Sequence, residues 1–547
     1  MAAASELTLG AYLFGHLRMV GVTTTFGIPG DFVLPLYRAQ AEAGMTTVVC
    51  AHEPGAAFAA DAYARLRPLG VVVVTYGAGA LNVVNSVAMS YAEKCPVLVI
   101  SGAPDLNSRS EFQQVHHMVK SFESSYRVFR EITCSQAVLN NLDSAAGEID
   151  RVIDEILAWK RPGYLEIPRD MVARPIARTC LPRRSPPRLP RYDASTVQKA
   201  SSDVARLLEA AKRPALYVGV WVQRHRLVDQ VVKFAEAWSL PVVSSVMGKA
   251  TFPERHPLYA GVYMGALGDA GAREVVEGSD RLIRVGVIPS DVNAGFGPSA
   301  WNPRTLVSID ECSTSVGEIR FLHTPIVEMI RALSAVQPAG DRVVWYRASP
   351  ARPYRIEKGK KLEVEDVVQV LRMRDLSRYS VIADVGNAWF AGLDLPTQVF
   401  LASGFYATMG YGIPAALGAA LAQPDRRPLV LVGDGAFRMT GAELGTAQDA
   451  RVAPIVLLLN NGTYGLLEAL DEPRPYYALR PWDYSAFARS MGCQAGRALT
   501  VGDLEAEWER AEQSQAPYLI EAVVGSESDA PILGRMRRMV HASPVRS

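Results

Sequence analysis

GDGAFRMTGAELGTAQDARVAPIVLLLNN, residues 433–461, is the stretch on which the reading of this 547-residue chain turns. Asp434 stands between two glycines directly after the apolar run 428–432, a pattern that predicts a buried strand. A helix-compatible segment follows, then a second apolar run, 455–459, that ends on Asn460 and Asn461. The unit is strand, loop, helix, strand, with an acid at one strand end and amides at the next. In a parallel sheet both ends fall on the carboxyl edge, where α/β proteins bind ligands. Gly433 and Gly435 let a phosphate approach the backbone closely, and Asp434 and Asn461 offer the hard oxygens that Mg²⁺ takes. The expected site is one for a phosphate together with a metal.

Apolar, β-branched runs of the same kind recur along the chain, at 70–75 and 97–101, at 215–220 and 282–287, and at 379–384. Polar on neither face, they suit parallel strands covered by helices on both sides. Two stretches rich in Arg and Pro, 178–195 and 335–361, break the rhythm and read as linkers. The basic charges of the second fit a solvated linker or a partner patch. The expected fold class is α/β, with three doubly wound parallel-sheet domains at residues 1–180, 196–340 and 360–547. Low-complexity segments and short-period repeats are absent.

Lys and Arg number 57 against 56 Asp and Glu, so the net charge of +1 gives no reason to expect nucleic acid or an anionic membrane as partner. The six cysteines are scattered, with no C-x-x-C pair, and read as isolated thiols of a reducing compartment. The opening 22 residues lack a basic leader, and Leu9, Leu13 and Leu17 repeat at helical spacing, so an ordinary first helix is expected. No apolar run approaches the roughly 20 residues that span a bilayer. A cytoplasmic protein is expected.

The first block holds three more signals. In FGIPGDF, residues 26–32, Asp31 stands at the tip of a turn and reads as a turn-former or a catalyst. In AHEPGAAFAADAYAR, residues 51–65, an Ala-rich helix is expected with Glu53 at its start, either as a capping charge or as a working acid. In EFQQVHHMVK, His116 and His117 are adjacent. Neighbours on a regular element point to different sides, which argues against two metal ligands and for a proton-transfer or hydrogen-bonding pair.

Taken together, these stretches resemble the thiamine diphosphate-dependent 2-keto acid decarboxylases, the family of pyruvate, indolepyruvate and phenylpyruvate decarboxylases. GDG followed by NN after roughly 25 residues is similar to the family's cofactor motif. Asp31, Glu53, the paired histidines and that motif follow in family order. VVVVTYGAGALNVVNSVAMSYAEKCPVLVISGAP, residues 71–104, and YATMGYGIPAALGAAL, residues 406–421, are also close to the family pattern. Within the family the look is nearest to bacterial phenylpyruvate decarboxylases, which share TYGAG, YAEK and a short histidine-containing C-terminal tail.

The resemblance implies a pyrimidine-binding first domain, a cofactor-free central domain and a last domain that binds diphosphate and Mg²⁺. It implies that Glu53 holds the cofactor's pyrimidine and that Met409 supports its bent shape, although Met409 seen without YATMGYG reads first as core filler. Asn387, Gly433, Asp434, Gly435, Ala436, Asn461, Thr463 and Tyr464 are implied as cofactor contacts. Asp434, Asn461 and the Thr463 carbonyl are the implied metal ligands. Asp31, His116 and His117 are the implied proton carriers, and Leu467 and Tyr76 the implied substrate pocket. Family cofactors lie across two chains, so a homodimer or a homotetramer built as a pair of dimers is expected.

One position departs from the pattern of pyruvate decarboxylases, which carry a glutamate where this chain has Leu467. Glu468, one residue on, points about 100° away on a helix. Leucine fits the phenylpyruvate subgroup, so the expected reaction is non-oxidative decarboxylation of a bulky, aryl-bearing 2-keto acid such as phenylpyruvate or indolepyruvate to an aldehyde and CO₂. The first alternative is a carboligase of the acetolactate synthase or acyloin-forming type, against which the paired histidines argue. The second is a catalytically silent binding subunit, against which Glu53, Asp434 and Asn461 argue.

Overall fold

The computed structural model describes residues 7–181, 192–298, 301–347 and 354–542. The first sheet holds β1 (Thr24–Gly27), β2 (Thr46–Val49), β3 (Gly70–Val74), β4 (Val97–Ala103), β5 (Ser135–Val138) and β6 (Gly163–Pro168). Its order is β2-β1-β3-β4-β6-β5 and every pair is parallel. The second holds β7 (Pro214–Val218), β8 (Val242–Ser245), β9 (Tyr259–Tyr263), β10 (Arg281–Val285), β11 (Leu306–Ile309), β12 (Ser313–Val316) and β13 (Ile319–Leu322), in the order β13-β12-β11-β10-β7-β8-β9. The third holds β14 (Tyr379–Ala383), β15 (Phe400–Ala402), β16 (Arg427–Gly433), β17 (Ile455–Asn460), β18 (Gln494–Ala498) and β19 (Tyr518–Val523). Its order, β15-β14-β16-β17-β19-β18, is again all parallel and repeats the topology of the first sheet.

In that topology the connections reverse direction between β1 and β3, and between β14 and β16. Loops leaving such a switch point diverge and open a crevice at the carboxyl edge. The central sheet has its reversal between β7 and β10, but there the loops close on each other. A Cβ added to Gly219, just after β7, would stand 2.3 Å from the Gly286 carbonyl oxygen.

Parallel strands were expected in all three sheets, and the central one departs from this. β12 and β13 turn back as an antiparallel hairpin on its edge. Gly317, at φ 57°, and Glu318 join Val316 to Ile319 in a two-residue turn, far too short for a parallel crossover. Three of the four residues of β13 are exposed, which an edge hairpin tolerates and a doubly covered strand does not.

The Ala-rich run expected as a tightly packed helix is the helix Glu53–Leu66, buried without a break from Gly55 to Ala64. Its partner is the helix Gly412–Ala422, whose small residues let the two backbones touch. A Cβ on Gly418 would lie 2.0 Å from the Ala59 carbonyl oxygen, so only glycine permits this approach. The contact clamps the first sheet's layer onto the third. Leu9, Leu13 and Leu17 are buried on the helix Leu9–Met19, as their spacing predicts.

Both linkers are shorter than expected. Residues 182–191 and 348–353 of the two stretches lie outside the described residues. Ala194 and Ser195, counted in the first linker, begin the helix Ala194–Ala210, because Asp193 accepts hydrogen bonds from the Ser195 and Thr196 N–H groups. Residues 335–347 of the second linker pack on the central layer, whereas 354–361 bond to the third, the Lys358 and Lys360 carbonyls accepting from the Gly502 and Val501 N–H groups. The Trp345 indole donates to the Pro214 carbonyl at 2.7 Å, and Arg342 donates to the Leu208 carbonyl and lies over the Trp238 ring. Arg342 there contacts its own chain, whereas Lys358, its side chain 81% exposed, is solvated as expected. Among the described residues no helix is both long and apolar enough to cross a membrane.

Candidate active site

The switch point of the third sheet opens as predicted from residues 433–461. β14 runs out through Asp384, Val385 and Gly386 into the helix Asn387–Leu393, and β16 through Gly433 into the helix Asp434–Thr440. Neither helix start has a side-chain cap. Gly386 takes φ 90°, and a Cβ on Gly386 or Gly433 would meet nothing within 4 Å. The crevice between them is thus bordered by bare backbone with first-turn N–H groups left for an anion.

Asp434 is buried at the crevice floor and accepts from the Gly435 N–H at 2.9 Å and the Gly462 N–H at 3.0 Å. Burial pushes its carboxyl up to about 6, against the pull of those two N–H groups. A buried carboxylate with few partners is a place for a cation. Asn460 and Asn461 diverge as neighbours at a strand end do: Asn460 donates to Glu521 at 2.7 Å, and Asn461 lines the crevice. Thr463 lines it too, with its hydroxyl donated to Glu468 at 2.6 Å. A carboxylate, an amide and a backbone carbonyl are the hard donors a divalent cation takes, and the open glycine backbone fits a diphosphate beside it.

One cavity of about 130 Å³ gathers nine of the ten expected cofactor contacts: Asn387, Met409, Gly433, Asp434, Gly435, Ala436, Asn461, Thr463 and Tyr464. Leu467 lines the same cavity, whereas Glu468 is turned to Thr463 and its backbone carbonyl to Arg537. Asn387 also has partners within the protein. Its side chain donates to the Ser528 carbonyl at 2.8 Å and accepts from the Ala530 N–H at 2.7 Å, so it ties down the segment leading into the C-terminal helix Pro531–Ala542.

The remaining expected residues collect at the switch point of the first sheet. Glu53 opens its helix and accepts from Asn82 Nδ2 at 2.7 Å. Asp31 lies in the turn Asp31–Val33 after β1, with His116 Nε2 at 2.7 Å and His117 Nε2 at 3.9 Å. Burial tends to raise the Asp31 carboxyl, but the His116 hydrogen bond and charge outweigh it and hold the group below its ordinary value. The two histidines face one side because they sit in a turn, with His117 at φ 65°, and not on a regular element. TYGAG explains the fit: a Cβ on Gly77 would stand 1.9 Å from the His117 carbonyl oxygen. Tyr76 is buried, donates to the Phe122 carbonyl at 3.0 Å and packs edge-on against Phe32, which stacks on His116 at 4.5 Å. It backs the histidines and is not among the residues lining the Leu467 cavity. Among the described residues no hydrogen bond or ion pair joins Glu53, Asp31, His116 or His117 to a residue of that cavity.

Two positioning residues escaped the sequence reading. Asp384 is fully buried and accepts from the N–H groups of Val385 (2.9 Å), Gly410 (3.1 Å) and Gly412 (2.8 Å), which pins the loop carrying Met409 to the end of β14. Burial pushes it up to about 6 despite those bonds. Glu443, buried in the third layer, accepts from the Ala51 and His52 N–H groups at 3.2 Å and so fixes the start of the Glu53 helix. The one sequence signal for either is an acid inside an otherwise apolar or small-residue run.

Comparison with known proteins places the whole chain in one family. Family models match for the N-terminal TPP binding domain of thiamine pyrophosphate enzymes over residues 7–124, the central domain over 201–336 and the C-terminal TPP binding domain over 384–522. The chain is 33% identical to an indole-3-pyruvate decarboxylase of Azospirillum brasilense over 548 residues, covering 98% of this chain and 100% of the relative. An alpha-keto-acid decarboxylase of Mycobacterium tuberculosis (strain ATCC 25618 / H37Rv) is 32% identical over 91% of this chain and 90% of its own. One from Mycobacterium avium (strain 104) is 31% identical over 97% and 96%.

Proposed function

Because the chain belongs to the thiamine diphosphate-dependent 2-keto acid decarboxylases, we propose that its own substrate is a bulky, aryl-bearing 2-keto acid such as phenylpyruvate or indolepyruvate. The observation that carries this is Leu467, 43% exposed in the cavity with Met409, Leu459 and Leu466, while Glu468 is turned away. An apolar wall beside the reacting carbon rewards burial of an aromatic ring and offers nothing to a small, hydrated acid. A panel of 2-keto acids assayed for aldehyde release tests it; pyruvate as the best substrate would overturn it.

In this reading Asp434, Asn461 and the Thr463 carbonyl would hold Mg²⁺, and the backbone at Gly386 and Gly433 to Ala436 would hold the diphosphate. Bound thiamine diphosphate supplies the electron sink for departure of CO₂. The chain's residues do the rest. Glu53 keeps a proton on the pyrimidine ring. Met409, on the loop pinned by Asp384, would support the bound cofactor. The apolar cavity favours loss of charge as the carboxylate leaves. The carbon that loses CO₂ must gain a proton before the aldehyde departs, and His116, His117 and Asp31 deliver it, a role that contributes about 10²–10⁴-fold. Glu53 and the trio sit at one switch point and the diphosphate residues at another. This supports a homodimer, or a pair of dimers, in which each cofactor uses one edge from each chain. A cytoplasmic enzyme with domains near 1–180, 196–340 and 360–547 completes the proposal.

A further inference from the structure

We infer that Asp31, His116 and His117 form a binding site for a divalent transition metal ion such as Zn²⁺, and that the bound ion blocks their proton transfer. The blocking half rests on the proton-carrying role proposed above; the binding half stands on geometry alone.

One ligand atom from each of the three residues lies within 4.8 Å of the others. Such convergence is not an accident of flexible side chains. The turn at His117 brings two consecutive rings to one side, the His117 carbonyl is seated against Gly77, and Phe32 stacks on His116 while meeting His117 edge-on at 6.1 Å. Zn²⁺ binds imidazole and carboxylate at about 2.0–2.2 Å, which sets its ligand atoms roughly 3–3.5 Å apart. His116 Nε2 and Asp31 Oδ2, now at 2.7 Å, need to part by less than about 1 Å, and the widest spacing in the set, at most 4.8 Å, needs to close by up to about 1.5 Å. The side chains are 35–61% exposed, so nothing hinders the adjustment.

The donor set selects the ion. Two neutral imidazoles and one carboxylate suit Zn²⁺, Co²⁺, Ni²⁺ or Fe²⁺, whereas Mg²⁺ prefers all-oxygen surroundings of the kind gathered at Asp434. Two cations of different chemistry are thus sorted to two switch points of one fold. An ion on both Nε2 atoms occupies the lone pairs through which the histidines take and give protons, so it stops that step without touching the cofactor residues.

The test uses the full chain loaded with thiamine diphosphate and excess Mg²⁺, with Co²⁺ as probe because its visible bands report nitrogen ligation. One Co²⁺ per chain with such bands is expected, with binding weakened about tenfold or more in His116→Gln and in His117→Gln. Zn²⁺ should displace it and slow aldehyde release over the same concentration range. Calorimetry of thiamine diphosphate on both variants checks that they remain folded. Absence of the bands, bands that survive both substitutions, or displacement by Zn²⁺ with turnover unaffected would overturn the inference. The bands are read without turnover, so they separate it from the function reading, which fails instead if both variants decarboxylate at the unmodified rate.

Discussion

Leu467→Glu is the sharpest test of substrate class. Burying an aromatic side chain completely is worth about 1.5–3 kcal/mol. Leu467 is one wall among several, with Met409, Leu459 and Leu466 also lining the cavity, so about half of that, roughly 0.75–1.5 kcal/mol, falls to this position. At 1.4 kcal/mol per power of ten, kcat/KM for phenylpyruvate should fall about three- to tenfold. Pyruvate has no ring to bury and should lose little, so the preference shrinks by a similar factor. The fold should tolerate the change. Leu467 is already 43% exposed and sits in the first turn of the helix Gly465–Leu470, where a carboxylate is favoured by about 0.3–1 kcal/mol. Steady-state kinetics of aldehyde release on pyruvate, 4-methyl-2-oxopentanoate, phenylpyruvate and indolepyruvate, for both proteins, measures the shift. If the ratio of phenylpyruvate to pyruvate is unchanged in the variant, Leu467 only packs a helix and the pocket argument is wrong.

Asp434→Ala should lose Mg²⁺-dependent binding of thiamine diphosphate, because the carboxylate is the one full charge the cleft offers a cation; calorimetry with and without EDTA checks this, and retained affinity would count against the metal assignment. Glu53→Gln should still bind the cofactor but lose about 10²-fold or more in turnover, an amide being unable to hold and release the proton; an unchanged rate of deuterium exchange at cofactor C2 would remove Glu53 from that role. Asp384 gives a pH signature. Its carboxyl is raised to about 6 in the fold from an ordinary 3.8, so its contribution is fully present below pH ~4 and is lost as pH rises through about 6, a difference on the order of 3 kcal/mol. The melting midpoint of Asp384→Asn relative to the unmodified chain should therefore improve from pH 4 to pH 7. A difference that is flat across that window would mean that Asp384 is ionised throughout.

The sequence by itself determined the three α/β layers and the crevice of Asp434 and Asn461, because both are written in local pattern. Apolar β-branched runs make doubly covered strands wherever they fall. Asp434 and Asn461 reach one crevice because parallel neighbours put their carboxyl ends on one edge, so GDG and NN needed no tertiary information to be paired. The Leu467 wall followed from the same logic, one helical position separating it from Glu468. Tertiary structure decided what depends on contacts distant in the chain. His116 meets Asp31 across 85 positions, and the side on which His117 falls is set by a positive φ that Gly77 accommodates. Asp384 acquires its role from the N–H groups of Gly410 and Gly412, and Asn387 has its protein partners in Ser528 and Ala530. The antiparallel hairpin of β12 and β13 turns on a two-residue link that the runs around it do not announce. Backbone periodicity is a property of neighbours, and a side chain's partner is a property of the whole packed chain; the first could be read from the letters, and the second had to be seen.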